Sequence, residues 1–112
     1  MGSPEVPDSL LYGTLDILIL KALSWSPLHG YSISNWIRER SDGAVDLEDA
    51  ALYKALHRLE RDRAIKAQWG RSENNRKAKY YVLTAVGERH LRVRTNSWRH
   101  YAGLINVILE SS

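Results

Sequence analysis

Between residues 49 and 62 the chain carries Tyr53, Lys54, His57, Arg58 and Arg61, groups that hydrogen-bond to phosphates and to the edges of bases. Leu52, Ala55, Leu56 and Leu59 recur at i, i+3, i+4, i+7, which predicts an α-helix with one apolar stripe turned to a core. At about 100° per residue the opposite side carries Ala50, Lys54, His57 and Arg61, flanked by Tyr53 and Arg58. Ala50 and Ala51 are small enough to let the backbone approach a groove closely. A basic, merely solvated helix face has the same pattern, so this helix alone leaves both readings open.

The charge around it favours nucleic acid. From Lys54 to Lys79 there are nine Lys or Arg against three acids, a net of +6, so the formal +3 of the whole chain leaves −3 for the remainder. Such asymmetry suits an oriented anionic partner. With 112 residues the chain makes one domain with a modest core. It has no cysteine, which removes disulfides, thiolate metal sites and thiol catalysis and fits a cytoplasmic protein. The most apolar run, residues 15–23, is broken by Asp16 and Lys21 and is shorter than the ~20 residues of a membrane span. No Gly-rich phosphate loop, nucleophile arrangement or pair of catalytic carboxylates is readable, so no enzyme and no cofactor are expected. His29, His57, His90 and His100 have no metal-ligand spacing, and His29 is expected to order the turn before a helix.

The elements that position the basic helix follow from the rest of the chain. Residues 1–9, with Gly2, Pro4 and Pro7, read as a flexible lead. Residues 15–25 read as a first helix with Thr14 as N-cap and Asp16 near its positive end. Its apolar residues wrap most of the circumference, which implies cover from a second subunit, unless the helix is simply central to one. After the breaker at residues 26–30, residues 31–40 form a short helix with Ile33, Trp36 and Ile37 inward, closed by Gly43 as a left-handed cap. Asp46 or Asp49 then caps the basic helix. Residues 65–69 and 78–83 alternate as strands around a polar tip at residues 70–77, a β-hairpin. From Thr84 a last helix runs to about Glu110, with Leu91, Trp98, Tyr101, Ile105 and Ile108 on a seam interrupted by Arg94. A long amphipathic helix on so small a domain needs a partner, and Leu15 and Leu18 of the first helix are expected to join that seam in a homodimer. The fold class is α+β, mostly α: a winged helix-turn-helix at residues 10–84 and a dimerisation helix at 85–112.

Four segments, in order, resemble one family. They are Gly13-Thr14-Leu15-Asp16-Ile17-Leu18-Ile19-Leu20, Pro27-Leu28-His29-Gly30-Tyr31, Leu52-Tyr53-Lys54-Ala55-Leu56-His57-Arg58-Leu59-Glu60, and residues 72–84 with Asn75-Arg76-Lys77-Ala78-Lys79-Tyr80-Tyr81. Together they resemble the PadR family of bacterial transcriptional regulators over nearly all of the chain from Leu10 onward. The resemblance implies a homodimeric repressor, of the short subfamily with a single C-terminal helix, that is released from its promoters by a small molecule or another signal. Two recognition helices one helical turn apart would read a pseudo-palindromic double-stranded operator. It places DNA contacts at Tyr53, Lys54, His57 and Arg58 in the recognition helix and at Arg76, Lys77 and Lys79 in the wing. Ala50, Ala51, Arg61 and Asn75 complete the expected DNA-binding set. Some short members hold a flat aromatic effector between paired tryptophans of the last helix, and Trp98 stands at the matching position. The family pattern often has Gly-Ser or Gly-Thr where this chain has Ala50-Ala51, and a glycine where it has Asp62-Arg63-Ala64. A left-handed turn there would strain Arg63 by roughly 1 kcal/mol. The alternative function is a winged-helix docking module that binds a protein and no specific DNA.

Overall fold

The computed structural model describes residues 8–112, and residues 1–7, most of the expected lead, lie outside the described residues. Four helices and a hairpin follow in the order α1 (Asp8–Leu23), α2 (Gly30–Arg40), α3 (Asp49–Arg61), β1 (Ile65–Arg71), β2 (Lys77–Leu83) and α4 (Ala85–Glu110). This is the expected winged-helix order with its trailing helix.

α1 is the axis of the core. Leu11, Leu15, Ile19, Leu20, Ala22 and Leu23 are buried along it, and α2, α3, α4 and β2 all pack on it. It begins well before Leu15 because the stripe Leu11, Leu15, Ile19, Leu23 runs straight through Gly13, where a Cβ would meet only open space. Glycine at an unrestricted helical position costs about 1 kcal/mol and does not end a helix. Thr14 is therefore no N-cap. It sits inside the helix with its hydroxyl on the Leu11 carbonyl (3.3 Å), and Asp16 is mid-helix. Trp25 lies beyond the helix and is exposed, with Lys21 Nζ 5.7 Å from its ring centre.

His29 caps α2, its Nδ1 accepting the Ser32 N–H (3.3 Å). Ile33 and Ile37 are buried, and Trp36 is half-buried against the same core. α2 closes with Asp42 and Gly43 both left-handed, at φ 53° and 83°, and with the Gly43 N–H on the Arg38 carbonyl (2.8 Å). Neither Asp46 nor Asp49 caps α3: the N-cap is Glu48, which makes no side-chain cap bond. α3 buries Leu52, Ala55, Leu56 and Leu59 as its spacing requires. It ends in a Schellman turn, with Arg63 at φ 61° and the Ala64 N–H on the Leu59 carbonyl (3.0 Å).

α4 is fastened to that turn. Thr84, the N-cap of α4, accepts from the Gly87 N–H (3.0 Å) and donates its hydroxyl to the carbonyls of Arg63 (2.6 Å) and Ala64 (3.0 Å). A Cβ on Gly87 would stand 2.0 Å from the Ala64 carbonyl oxygen, so only glycine permits this approach.

The hairpin is antiparallel, pairing Ile65 with Leu83, Ala67 with Tyr81 and Trp69 with Lys79. Leu28 adds one bridge to the far side of β2, its N–H on the Tyr81 carbonyl (3.2 Å). Both strands reach further than alternation alone implies, so the tip is only residues 72–76. Asn75 turns it at φ 59°, and the Asn75 N–H meets the Ser72 carbonyl at 2.8 Å.

Candidate nucleic-acid interface

The two faces of α3 divide as their chemistry predicts. Tyr53, Lys54, His57 and Arg61 are exposed, Ala50 is exposed and Ala51 half-buried at the helix start. Ala50, Ala51 and Lys54 border a groove of about 450 Å³ that Leu15, Glu48, Ala55 and Arg58 complete. Tyr53 is oriented by α2, since its hydroxyl occupies the space a Cβ on Gly30 would take, 2.7 Å away. Arg58 stands apart from these cations. It is half-buried and bonded to Asp16 of α1, so its guanidinium is engaged within the chain while its side chain still borders the groove with Lys54.

In the wing, Asn75, Arg76 and Lys77 are exposed and Lys79 is half-buried. Asn75 has a structural task as well, because asparagine tolerates the left-handed turn at the tip. Ser72 Oγ accepts the Arg76 N–H (3.3 Å), and Arg71 Nη1 donates to the Asn75 carbonyl (3.3 Å), which ties the basic end of the tip to β1. Lys77 Nζ lies 4.9 Å from the centre of the Trp69 ring and Lys79 Nζ 5.3 Å from that of Tyr81. At these distances the ring quadrupoles attract the two ammonium groups. Trp69, itself 63 % exposed, is absent from the residues expected at this surface. Its sequence signal was the alternation that puts it on the face of Ile65 and Ala67, beyond the reach of the core.

A second region is uncovered for a different reason. Trp98, Tyr101, Leu104, Val107, Ile108 and Leu109 are all exposed on α4. Ile105 and Leu91 are half-buried, Leu91 and Leu18 packing against the core. Leu15, expected on that seam, is 3 % exposed and packs into the core of its own chain. Leu18, Ile17, Leu91 and Trp98 line an apolar groove of about 610 Å³ between α1 and α4, with Thr14, Lys21, Thr95 and Arg99 at its edges. Arg94, which interrupts the seam, turns toward α1 and bonds Asp16 at 2.9 Å. Among the described residues, no helix is long and apolar enough to cross a membrane.

A family model described as transcriptional regulator PadR-like matches residues 19–93, from the second half of α1 through the first turns of α4. The chain belongs to the PadR-like family of transcriptional regulators. The solved structure of a transcriptional regulator from Clostridium thermocellum superimposes with a TM-score of 0.83 at 28 % identity, covering 91 % of this chain and 99 % of that one. A PadR family transcription regulator from Clostridium difficile gives 0.76 at 33 % identity, covering 86 % and 98 %. Uncharacterized protein X of Lysinibacillus sphaericus is 30 % identical over 105 residues, 94 % of this chain and 96 % of its own length. As a PadR-like protein the chain is a DNA-binding transcriptional regulator and not an enzyme.

Proposed function

We propose that this PadR-like regulator is a cytoplasmic homodimeric repressor that reads a pseudo-palindromic operator with two copies of α3 and is released by a flat aromatic effector. The observation that carries the reading is the division of the exposed surface: cations face solvent on α3 and the wing, while an apolar strip faces solvent on α4. Water is a good solvent for the first and a poor one for the second, so the strip is what a second copy would cover. Two recognition helices held ~34 to 36 Å apart match successive major grooves on one side of a duplex. Tyr53, Lys54 and His57 then face base edges and phosphates, and Arg76, Lys77 and Lys79 lie along the backbone.

The apolar groove beside Trp98 supports the effector reading, because it offers a ring a tryptophan face, three aliphatic side chains and few polar demands. Quenching of tryptophan fluorescence by planar aromatic compounds, lost in Trp98→Ala, tests it.

Anisotropy of a labelled duplex from upstream of the protein's own gene, titrated at physiological salt against unlabelled random duplex, tests the main reading. Binding that survives competition, at two subunits per site, is expected. Lys54→Ala should weaken it by roughly 10- to 100-fold, the worth of a base contact. Loss of Lys77 and Lys79 together should lower affinity for every sequence and flatten the salt slope by about 2. No binding at any salt would instead indicate a docking module.

A further inference from the structure

We infer that Asp16 is a positioning residue for DNA recognition, and that with Arg94 it sets the attitude of α3 relative to α4. The inference rests on the reading of α3 as the DNA-facing helix and α4 as the dimer helix.

One carboxylate is shared by two arginines from different helices. Asp16 Oδ1 accepts from Arg58 Nη2 of α3, and Asp16 Oδ2 accepts from Arg94 Nη1 of α4 at 2.9 Å. α3 and α4 both pack on α1, and apart from the Ala64–Gly87 fastening at their ends they share no extended contact of their own. Among the described residues, Asp16 is therefore the side chain that bonds to both along their lengths. It also divides two surfaces: Arg58 borders the groove with Lys54, Ala50 and Ala51, and Arg94 borders a second groove with Trp98 and Tyr101.

Magnitude separates a positioning role from a merely stabilising one. The side chains are 20 %, 40 % and 36 % exposed for Asp16, Arg58 and Arg94. Ion pairs of such exposure contribute little to folding. What the bridge controls is direction. It holds the Arg58 guanidinium off the phosphates and keeps α3 at one angle to the helix whose partner contact determines the distance between the two α3 copies. A fixed distance favours one operator spacing over random sequence, so the bridge acts on specificity more than on total affinity.

The test uses the full chain, an operator selected by the wild-type protein from a random duplex pool, and bulk random duplex. Arg94→Gln should lower operator affinity roughly 3- to 10-fold, the scale of a coupled charge pair, with random-duplex affinity and dimerisation unchanged. Arg94→Lys, which keeps the charge, should retain most of the affinity. Asp16→Asn should lower operator affinity comparably while tightening random-duplex binding, because the released Arg58 reaches a phosphate and steepens the salt slope by about 0.9. In the Asp16→Asn background, Arg94→Gln should cost nothing further. The inference is overturned if Arg94→Gln costs as much there as alone, or leaves operator binding untouched while Lys54→Ala weakens it. If Lys54→Ala has no effect, the reading of α3 itself fails and the inference falls with it.

Discussion

α3 and α4 are both amphipathic, and they leave opposite chemistry in water. α3 turns Leu52, Ala55, Leu56 and Leu59 into the core of its own chain and leaves cations and a phenol outside. α4 is twice as long, and of its 26 residues Gly87 alone is buried among those described. Its distal half shows Leu104, Val107, Ile108 and Leu109 to solvent, where no part of the described chain covers them. The hydrophobic effect is satisfied within one chain for α3 and not for α4. On the function proposed above, the exposed polar face of α3 receives a solvated polyanion and the exposed apolar strip of α4 receives another copy.

The sharpest way to break the contrast is to make α4 resemble α3. Ile108→Asp places two like charges on a seam that would otherwise be apolar. Burying an unpaired carboxylate costs several kcal/mol, so the dimer dissociation constant should rise about 1,000-fold, equivalent to ~4 kcal/mol. Analytical ultracentrifugation measures it, and operator affinity should fall with it, while helix content and the packing of the DNA-binding domain stay as they were. A variant that remains dimeric would mean that the strip is not the interface.

Next in size is the fastening between the two helices. A methyl group at position 87 would overlap the Ala64 carbonyl oxygen, a backbone atom that cannot swing aside. Gly87→Ala should cost about 3 kcal/mol of stability, the upper range for overpacking. For a domain of this size that lowers Tm by roughly 10 °C. Thermal unfolding followed by circular dichroism reads it. By contrast Gly13→Ala, where the Cβ meets nothing within 4 Å, should leave Tm unchanged or raised.

The same contrast explains which parts of the molecule were legible from sequence. Periodicity reports which side of an element is apolar, so the buried stripe of α3 and the element order followed from spacing. Capping chemistry was legible where a side chain bonds locally, as at His29 and Thr84, and failed at Thr14 because a plausible cap residue also fits mid-helix. Spacing says that Leu15 is covered and not by which chain, and the fold buries it in its own core. Asp16 and Arg94 are the instructive pair. Each appeared as a charge breaking an apolar run, and 78 residues separate them, so only the folded chain shows that the two interruptions meet. The seat of Tyr53 on Gly30 belongs to the same class, since it depends on how α3 crosses α2.

The smallest expected effect tests whether the α3 terminus is strained. Arg63 adopts φ 61°, and its left-handed backbone is held by the Schellman turn and by Thr84 rather than by any preference of arginine. Glycine adopts that region without steric cost, though it gives up more conformational entropy on folding. The balance favours Arg63→Gly by roughly 0.5 to 1 kcal/mol, about 2 to 4 °C in Tm. The arginine side chain is exposed and makes no salt bridge among the described residues, so little else is lost. If Tm falls instead, the arginine side chain contributes to the fold through packing along its aliphatic stem. If Tm rises while operator affinity also falls, Arg63 contacts the phosphate backbone, and the DNA-facing surface of α3 extends past Arg61 to the turn that α4 grips.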